Sequence, residues 1–212
     1  MKHITIIIPT RNRVSKLARC LDAMPSAPWV SVIVGIDGDA TTMFSLDFIH
    51  SYKLAIYSPE HIGSMRLCNL LVPMVEDGLL MLCDDMELLP NALEKALNAF
   101  NEAFPDDDGV LGIHQEGISS YAPTGVCLMG SKFLARYPDK QVFNPDYGHF
   151  GDVEIYELAA KLDRYKFGGK EIAVYHHHEE DQTHHEGRKS KVADAVLRKS
   201  RRESGSIWGL TP

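Results

Sequence analysis

The run His-Ile-Thr-Ile-Ile-Ile-Pro at residues 3–9 most constrains what this chain can become. β-Branched residues in series favour extended backbone, and apolar side chains on both sides of the pleat need cover on both faces. Such a strand belongs inside a sheet layered between helices. Directly after the loop 10–13, Val14, Leu17, Ala18, Leu21 and Met24 recur at helical spacing, and Pro25 and Pro28 end that pattern. Residues 30–36 form a second apolar run, stopped by Asp37-Gly38-Asp39, and residues 53–57 a third. Alternation of this kind predicts a mostly parallel sheet flanked by helices.

The pattern continues. Met65, Cys68, Leu71, Val72 and Val75 share one helical face, with a kink or a new turn expected at Pro73. Residues 79–83 make a fourth strand that runs straight into Asp84-Asp85. Pro90 is placed to open a helix whose buried face is Leu93, Ala96, Leu97, Phe100 and Phe104. The second half is less regular. Residues 110–113 and 125–130 read as strands, 153–162 as a helix entered through Gly151-Asp152, and 172–175 as a last strand delivering His176, His177 and His178.

At 212 residues the chain suffices for one α/β domain and is short for two. The N-terminal apolar run is too brief for a signal-peptide core or a membrane span, and no other segment reaches spanning length, so a cytoplasmic location is expected. The four cysteines, Cys20, Cys68, Cys83 and Cys127, lie far apart in apolar stretches and are expected to be buried thiols. Charge is uneven. Residues 188–202 hold seven basic groups and one acid, a balance of +6; since the whole chain carries −7, the remainder carries −13. We therefore divide the chain into a domain over residues 1–187, in two parts of about 1–90 and about 91–187, and a basic C-terminal tail over 188–212. Val192, Ala193, Val196 and Leu197 suggest a short amphipathic helix in that tail, and Trp208 offers a docking point.

Asp84-Asp85 stands where an apolar strand ends, the edge at which open α/β sheets bind ligands. Adjacent carboxylates repel and lose hydration unless a cation joins them, and an oxygen-only pair suits Mg²⁺ or Mn²⁺. On spacing alone a solvated turn or a helix cap before Pro90 explains the pair equally well. No glycine-rich phosphate loop follows the first strand and no GxGxxG is present, which argues against a sugar-nucleotide pyrophosphorylase and a dinucleotide-dependent dehydrogenase.

Taken together, IIIPTRNR, GIDGD, GSMRLCNLL and LLMLCDDMELLPNAL resemble, in order and spacing, the family 2 glycosyltransferases; FGDVEIYELAAKL and VYHHH extend the likeness more weakly. The resemblance implies a single-domain GT-A fold and an inverting transfer of sugar from a nucleotide-diphosphate donor, a UDP-sugar for preference, to a hydroxyl. It implies that Pro9, Thr10, Arg11, Arg13, Asp37, Arg66, Asn69 and Asp84 serve the nucleotide. Asp85 would bind Mn²⁺ or Mg²⁺ together with a late histidine, His178 being favoured over His176. Asp152 would be the general base and Glu154 an acceptor contact. Cys83 departs from the pattern, standing where the family often has a first acid. The acceptor is left open between a small molecule, a glycan and a modified DNA brought in by the basic tail. A non-catalytic zinc- or nucleic-acid-binding module using the histidines and that tail is the competing reading.

Overall fold

A computed structural model of the chain describes residues 1–45, 54–119, 122–178, 181–187 and 189–210. In chain order its elements are β1 (Ile4–Thr10), α1 (Val14–Asp22), β2 (Val30–Asp37), α2 (Ala40–Ser45), β3 (Leu54–Ser58), α3 (Ser64–Leu71), β4 (Gly78–Met81) and β5 (Met86–Leu88). Then follow α4 (Ala92–Ala103), β6 (Val110–Gly112), β7 (His114–Glu116), β8 (Cys127–Met129), α5 (Ser131–Leu134) and α6 (Gly151–Lys161). The chain closes with β9 (Tyr165–Phe167), β10 (Ala173–His176), α7 (Gln182–Gly187) and α8 (Lys191–Glu203). Lys53 and Arg188, which the sequence reading used, lie outside the described residues.

Seven strands form one sheet in the order β3-β2-β1-β4-β8-β6-β9. β1 is central and runs parallel to β2 and β4, while β8 is antiparallel to both β4 and β6. The first run thus sits where its composition requires. Ile4, Ile6 and Ile8 enter one core cluster with Leu17, Leu21, Val34 and Phe100. Ile7 faces the other way, into a cluster with Ile33, Leu71, Leu79, Phe133 and Leu158. Each fully buried isoleucine contributes about 1.5–3 kcal/mol, and alternation along β1 puts such residues on both faces of the sheet.

β1 continues through Pro9 instead of stopping there. Leu82 N–H donates to Ile7 O, so the Ile7 backbone faces β4, and Pro9, two residues on, faces the same flank. The last β1–β4 pair is Ile7 with Met81, so Pro9 has no neighbour on that flank to which an N–H is owed. Pro73 ends α3 in a 3₁₀ turn at Val72–Met74, the break its position predicts. α4 begins at Ala92, two residues beyond Pro90, because Asn91 takes a left-handed conformation first.

A smaller sheet, β5-β10-β7, lies beside the main one. β10 pairs antiparallel with β5, setting His176 opposite Met86, and parallel with β7. Periodicity did not predict β5, β7 or β9. Each is three residues long, too short to carry a period.

The basic C-terminal segment is not a free tail. α8 is held by Asp194, which is buried and accepts the Gly148 N–H at 3.0 Å, and by Arg198, which donates to Glu157 at 2.8 Å. Ile207, Trp208 and Leu210 pack on the second core cluster, and Trp208 Nε1 donates to Gln141 O at 2.6 Å. The apolar face expected to dock is turned outward: Val192 is 78% and Val196 68% exposed. Polar contacts from the opposite face seat the helix. No helix among the described residues is long and apolar enough to cross a membrane.

Candidate active site

The C-terminal ends of β1, β2 and β4 bring Thr10, Asp37, Asp84 and Asp85 to one edge of the main sheet, and all four are buried. Thr10 Oγ1 donates to Asp84 Oδ2 at 2.7 Å, and Arg13 Nη1 donates to Asp84 Oδ1 at 2.9 Å. The same guanidinium lies 3.5 Å from Asp85 Oδ2 and donates to Asp181 at 2.7 Å. It therefore partly neutralises two adjacent buried acids, the role the sequence reserves for a cation. Lys16 donates to Asp181 at 2.8 Å, Arg11 to Glu186 at 2.5 Å, and the Thr183 hydroxyl to Arg11 O at 3.2 Å. These contacts lay α7 and Asp181 against the loop that follows β1.

The two acids differ. Burial pushes the Asp84 carboxyl up to about 6, against the pull of Arg13 and Thr10. Burial also opposes ionisation of Asp85, yet the His176 imidazole with Arg13 and Lys16 holds its carboxyl below the ordinary range. Asp85 Oδ1 is buried without a hydrogen-bond partner, 3.4 Å from His176 Nε2. His176 Nδ1 meets Gln115 Oε1 at 3.2 Å; an amide oxygen accepts only, so Nδ1 donates there and Nε2 is the ring nitrogen turned to Asp85.

That geometry is a fit test for a divalent ion. A partnerless carboxylate oxygen faces an imidazole whose other nitrogen is fixed by an amide, which suits one carboxylate and one histidine ligand. Among the described residues no group of three or more His, Cys, Asp or Glu is arranged to hold an ion. A site with two protein ligands suits an ion that takes its remaining ligands from a substrate, as Mg²⁺ and Mn²⁺ do with diphosphates.

Beneath this edge is a cavity of about 470 Å³ whose walls include Pro9, Met65, Cys83, Thr124, Phe150 and Asp152. Asp152 lies in the first turn of α6, fixed by Thr124 Oγ1, which donates to the Asp152 carbonyl. Burial pushes its carboxyl up, against the backbone N–H groups at the helix start and nearby His149.

No protein-family model matches the chain, and no curated protein matches it in sequence. Solved structures do match. The structure of S. aureus TarS 1–349 in complex with UDP-GlcNAc superposes with a TM-score of 0.68 at 16% identity, over 85% of this chain and 60% of that one. TarS 1–349 alone gives 0.63 at 15%, over 82% and 60%. Glucosyl-3-phosphoglycerate synthase from Mycobacterium tuberculosis, in complex with phosphoglyceric acid, gives 0.66 at 13%, over 92% and 78%. The chain has the GT-A fold. It spans about 60% of the TarS structures it matches.

Within this GT-A frame the predicted residues divide. Pro9, Thr10, Arg13, Asp84, Asp85, Asp152 and His176 gather around the sheet edge and the cavity. Asp37 reaches the edge but is engaged: its carboxylate meets His61 Nδ1 at 2.6 Å and accepts the N–H groups of Ile62 and Gly63 at 2.7 and 3.0 Å. Arg66 is exposed on α3 and donates to Pro145 O at 3.3 Å.

Three expectations change. Asn69 does not face the nucleotide side. Its amide is spent on the Phe143 backbone, donating to O at 2.7 Å and accepting from N at 2.9 Å, because it lies on the buried face of α3. Glu154 is turned from the cavity toward the C-terminal segment, where Oε1 accepts from Arg201 at 2.8 and 3.0 Å and from Trp208 N at 3.0 Å. Two residues on from Asp152 along a helix, it faces another direction. The ring facing Asp85 belongs to His176; His178 is exposed, its ring 5.4 Å from that of His176. His177 turns to Glu87 at 2.5 Å, and among the described residues no group of three His, Cys, Asp or Glu is placed to hold zinc. Cys20, Cys68 and Cys127 are buried as expected, but Cys83 is exposed and lines the cavity. Sequence reasoning missed Gln115, Lys16, Asp181 and Phe150. Gln115, Lys16 and Asp181 belong to none of the quoted motifs and Phe150 only opens one, so tertiary contact alone gives them a place.

Proposed function

We propose that the chain transfers a sugar from a nucleotide-diphosphate donor, a UDP-sugar for preference, to a hydroxyl acceptor with inversion at the anomeric carbon. One observation carries the reading. On a GT-A sheet edge, buried Asp85 offers an unpartnered oxygen beside His176, and Pro9 and Cys83 of the same strand ends line a cavity that Asp152 also walls. The UDP-GlcNAc complex of the similar TarS structure supports a uridine nucleotide as donor.

In this reading Thr10 and Asp84 meet the nucleoside side, and Asp85 with His176 holds Mn²⁺ or Mg²⁺. When bound, the ion neutralises charge that grows on the leaving diphosphate. Arg13 is freed from the two acids as the donor arrives and turns its guanidinium to the diphosphate oxygens; Arg66, at the start of α3, approaches from the opposite side. Asp37 keeps the loop 61–63 in place, and its remaining lone-pair capacity faces the base. Asp152 accepts the proton of the acceptor hydroxyl as that oxygen attacks the face opposite the leaving group, a contribution of about 10²–10⁴-fold. Burial raises its carboxyl above the ordinary range, which makes it a stronger base than an exposed carboxylate.

The test is a screen of nucleotide-sugars for Mn²⁺-dependent thermal stabilisation and hydrolysis. At least one UDP-sugar should raise Tm and be hydrolysed only with the metal present. If no nucleotide-sugar binds in the presence of either ion, the reading fails.

A further inference from the structure

A second cavity, of about 420 Å³, adjoins the first. Phe150, Arg198, Lys199, Arg202 and Glu203 line it, and Phe150 is the wall the two share. Phe150 caps α6 with φ +67°, a left-handed conformation that bulky residues rarely adopt. Contacts on both sides hold it there. The His149 ring meets it edge-on at 4.5 Å, and the Arg198 guanidinium lies over its face at 5.7 Å. Asp152 is two residues away, on the other side of this aromatic wall.

The second cavity is cationic. Three cations stand around it against two carboxylates: Glu157 binds Arg198 at 2.8 Å but Arg202 only at 3.7 Å, and Glu203 reaches Lys199 at 3.9 Å. The Lys199 and Arg202 side chains are 78% and 64% exposed, so their heads can turn to a ligand. They belong to the segment whose +6 balance stands out from a body of −13. Docking through Asp194, Arg201 and Trp208 places that charge around the second cavity, across Phe150 from the one carrying Asp152.

We propose, building on the glycosyl-transfer reading, that the acceptor is an alcohol bearing a phosphate. Its phosphate would lie against Arg198, Lys199 and Arg202, and its hydroxyl would pass Phe150 to reach Asp152. An alcohol of this class brings both groups the two cavities are built for: an anion, which fixed guanidinium and ammonium donors bind, and one hydroxyl to be deprotonated. The phosphate is a monoester or a diester, and both forms present the same oxygens to these cations.

Calorimetry on the chain loaded with UDP and Mn²⁺ tests this directly. Glycerol 3-phosphate represents the monoester, glycerophosphoglycerol the diester, and glycerol the neutral control. One or both phosphates should bind, glycerol should not, and affinity should fall as KCl rises. The tighter of the two phosphates identifies the form used. In the double variant Lys199→Ser/Arg202→Ser, phosphate affinity should fall at least tenfold, while UDP binding in the same sample reports an intact donor side. Equal binding of glycerol and its phosphates, or a double variant that binds them like the wild type, overturns the proposal. If UDP does not bind at all, the glycosyl-transfer reading fails on its own; the same titration on the bare chain then judges the anion site, with the same two results for and against.

Discussion

At the scale of single residues, Asp84 and Asp85 show how neighbours in sequence acquire different chemistry. Asp84 lies deep beside Thr10 and Arg13, and desolvation dominates, so its carboxyl titrates near 6. A carboxylate raised above its ordinary value near 4 binds its proton more tightly in the folded chain. Stability from this group is therefore fullest below about pH 4 and declines as pH rises to about 6. In the absence of metal and nucleotide, Tm should fall over that interval, and Asp84→Asn should flatten that part of the profile. Asp152 gives a second prediction. Burial holds its carboxyl up, so the lower limb of the pH–rate profile should lie above the ordinary carboxylate range. Asp152→Asn should leave UDP-sugar binding intact, cut turnover about 10²–10⁴-fold, and raise Tm, because it removes a desolvated charge. Unchanged turnover in this variant would refute its assignment as the base. Residue identity was legible here to the extent that a strand end announced two acids; which of them faces a histidine was not, since β5 and β10 had to pair first.

Among elements, the packing of α3 on the sheet is a demanding contact near the site. A Cβ on Gly35 would come within 2.8 Å of Leu71 Cδ1 and 2.9 Å of Leu67 Cδ2, so β2 and α3 approach closely only because residue 35 has no side chain. Gly35→Ala should cost about 1–3 kcal/mol, measured by urea denaturation, and should also weaken nucleotide binding, because α3 carries Arg66 and braces Phe143 through Asn69. Gly38, at φ +66°, meets the backbone of His61 in the same way, which lets Asp37 hold the loop 61–63. Longer elements declared themselves in sequence: the helical spacing of Leu93, Ala96 and Phe100 corresponds to buried residues of α4. α8 declared itself as a helix but not its seating: Val192 and Val196 face outward, because the helix is held by hydrogen-bonded charges, and a hydrophobic period says nothing about those.

For the molecule as a whole, the C-terminal segment completes the body. Glu154 is buried, and its charge is answered by Arg201 and the Trp208 N–H. Arg201→Ala should destabilise the fold by about 3 kcal/mol, because a buried carboxylate loses its cation. Truncation after residue 187 should cost more, since the cover from Trp208 and Leu210 is lost as well; chemical denaturation of both variants measures the order. If Arg201→Ala is neutral, the segment is an appendage after all. The sequence by itself determined a mostly parallel sheet flanked by helices and the strand end that carries Asp84-Asp85, because runs of β-branched residues broken by helical periods leave few ways to bury their apolar surface; the GT-A form of that sheet followed from the resemblance of its motifs. Tertiary structure alone decided that His176 faces Asp85, that Glu154 serves the fold, and that a basic helix borders the cavity of Asp152. Those outcomes rest on polar contacts between residues far apart in the chain, and such contacts have no period along a sequence.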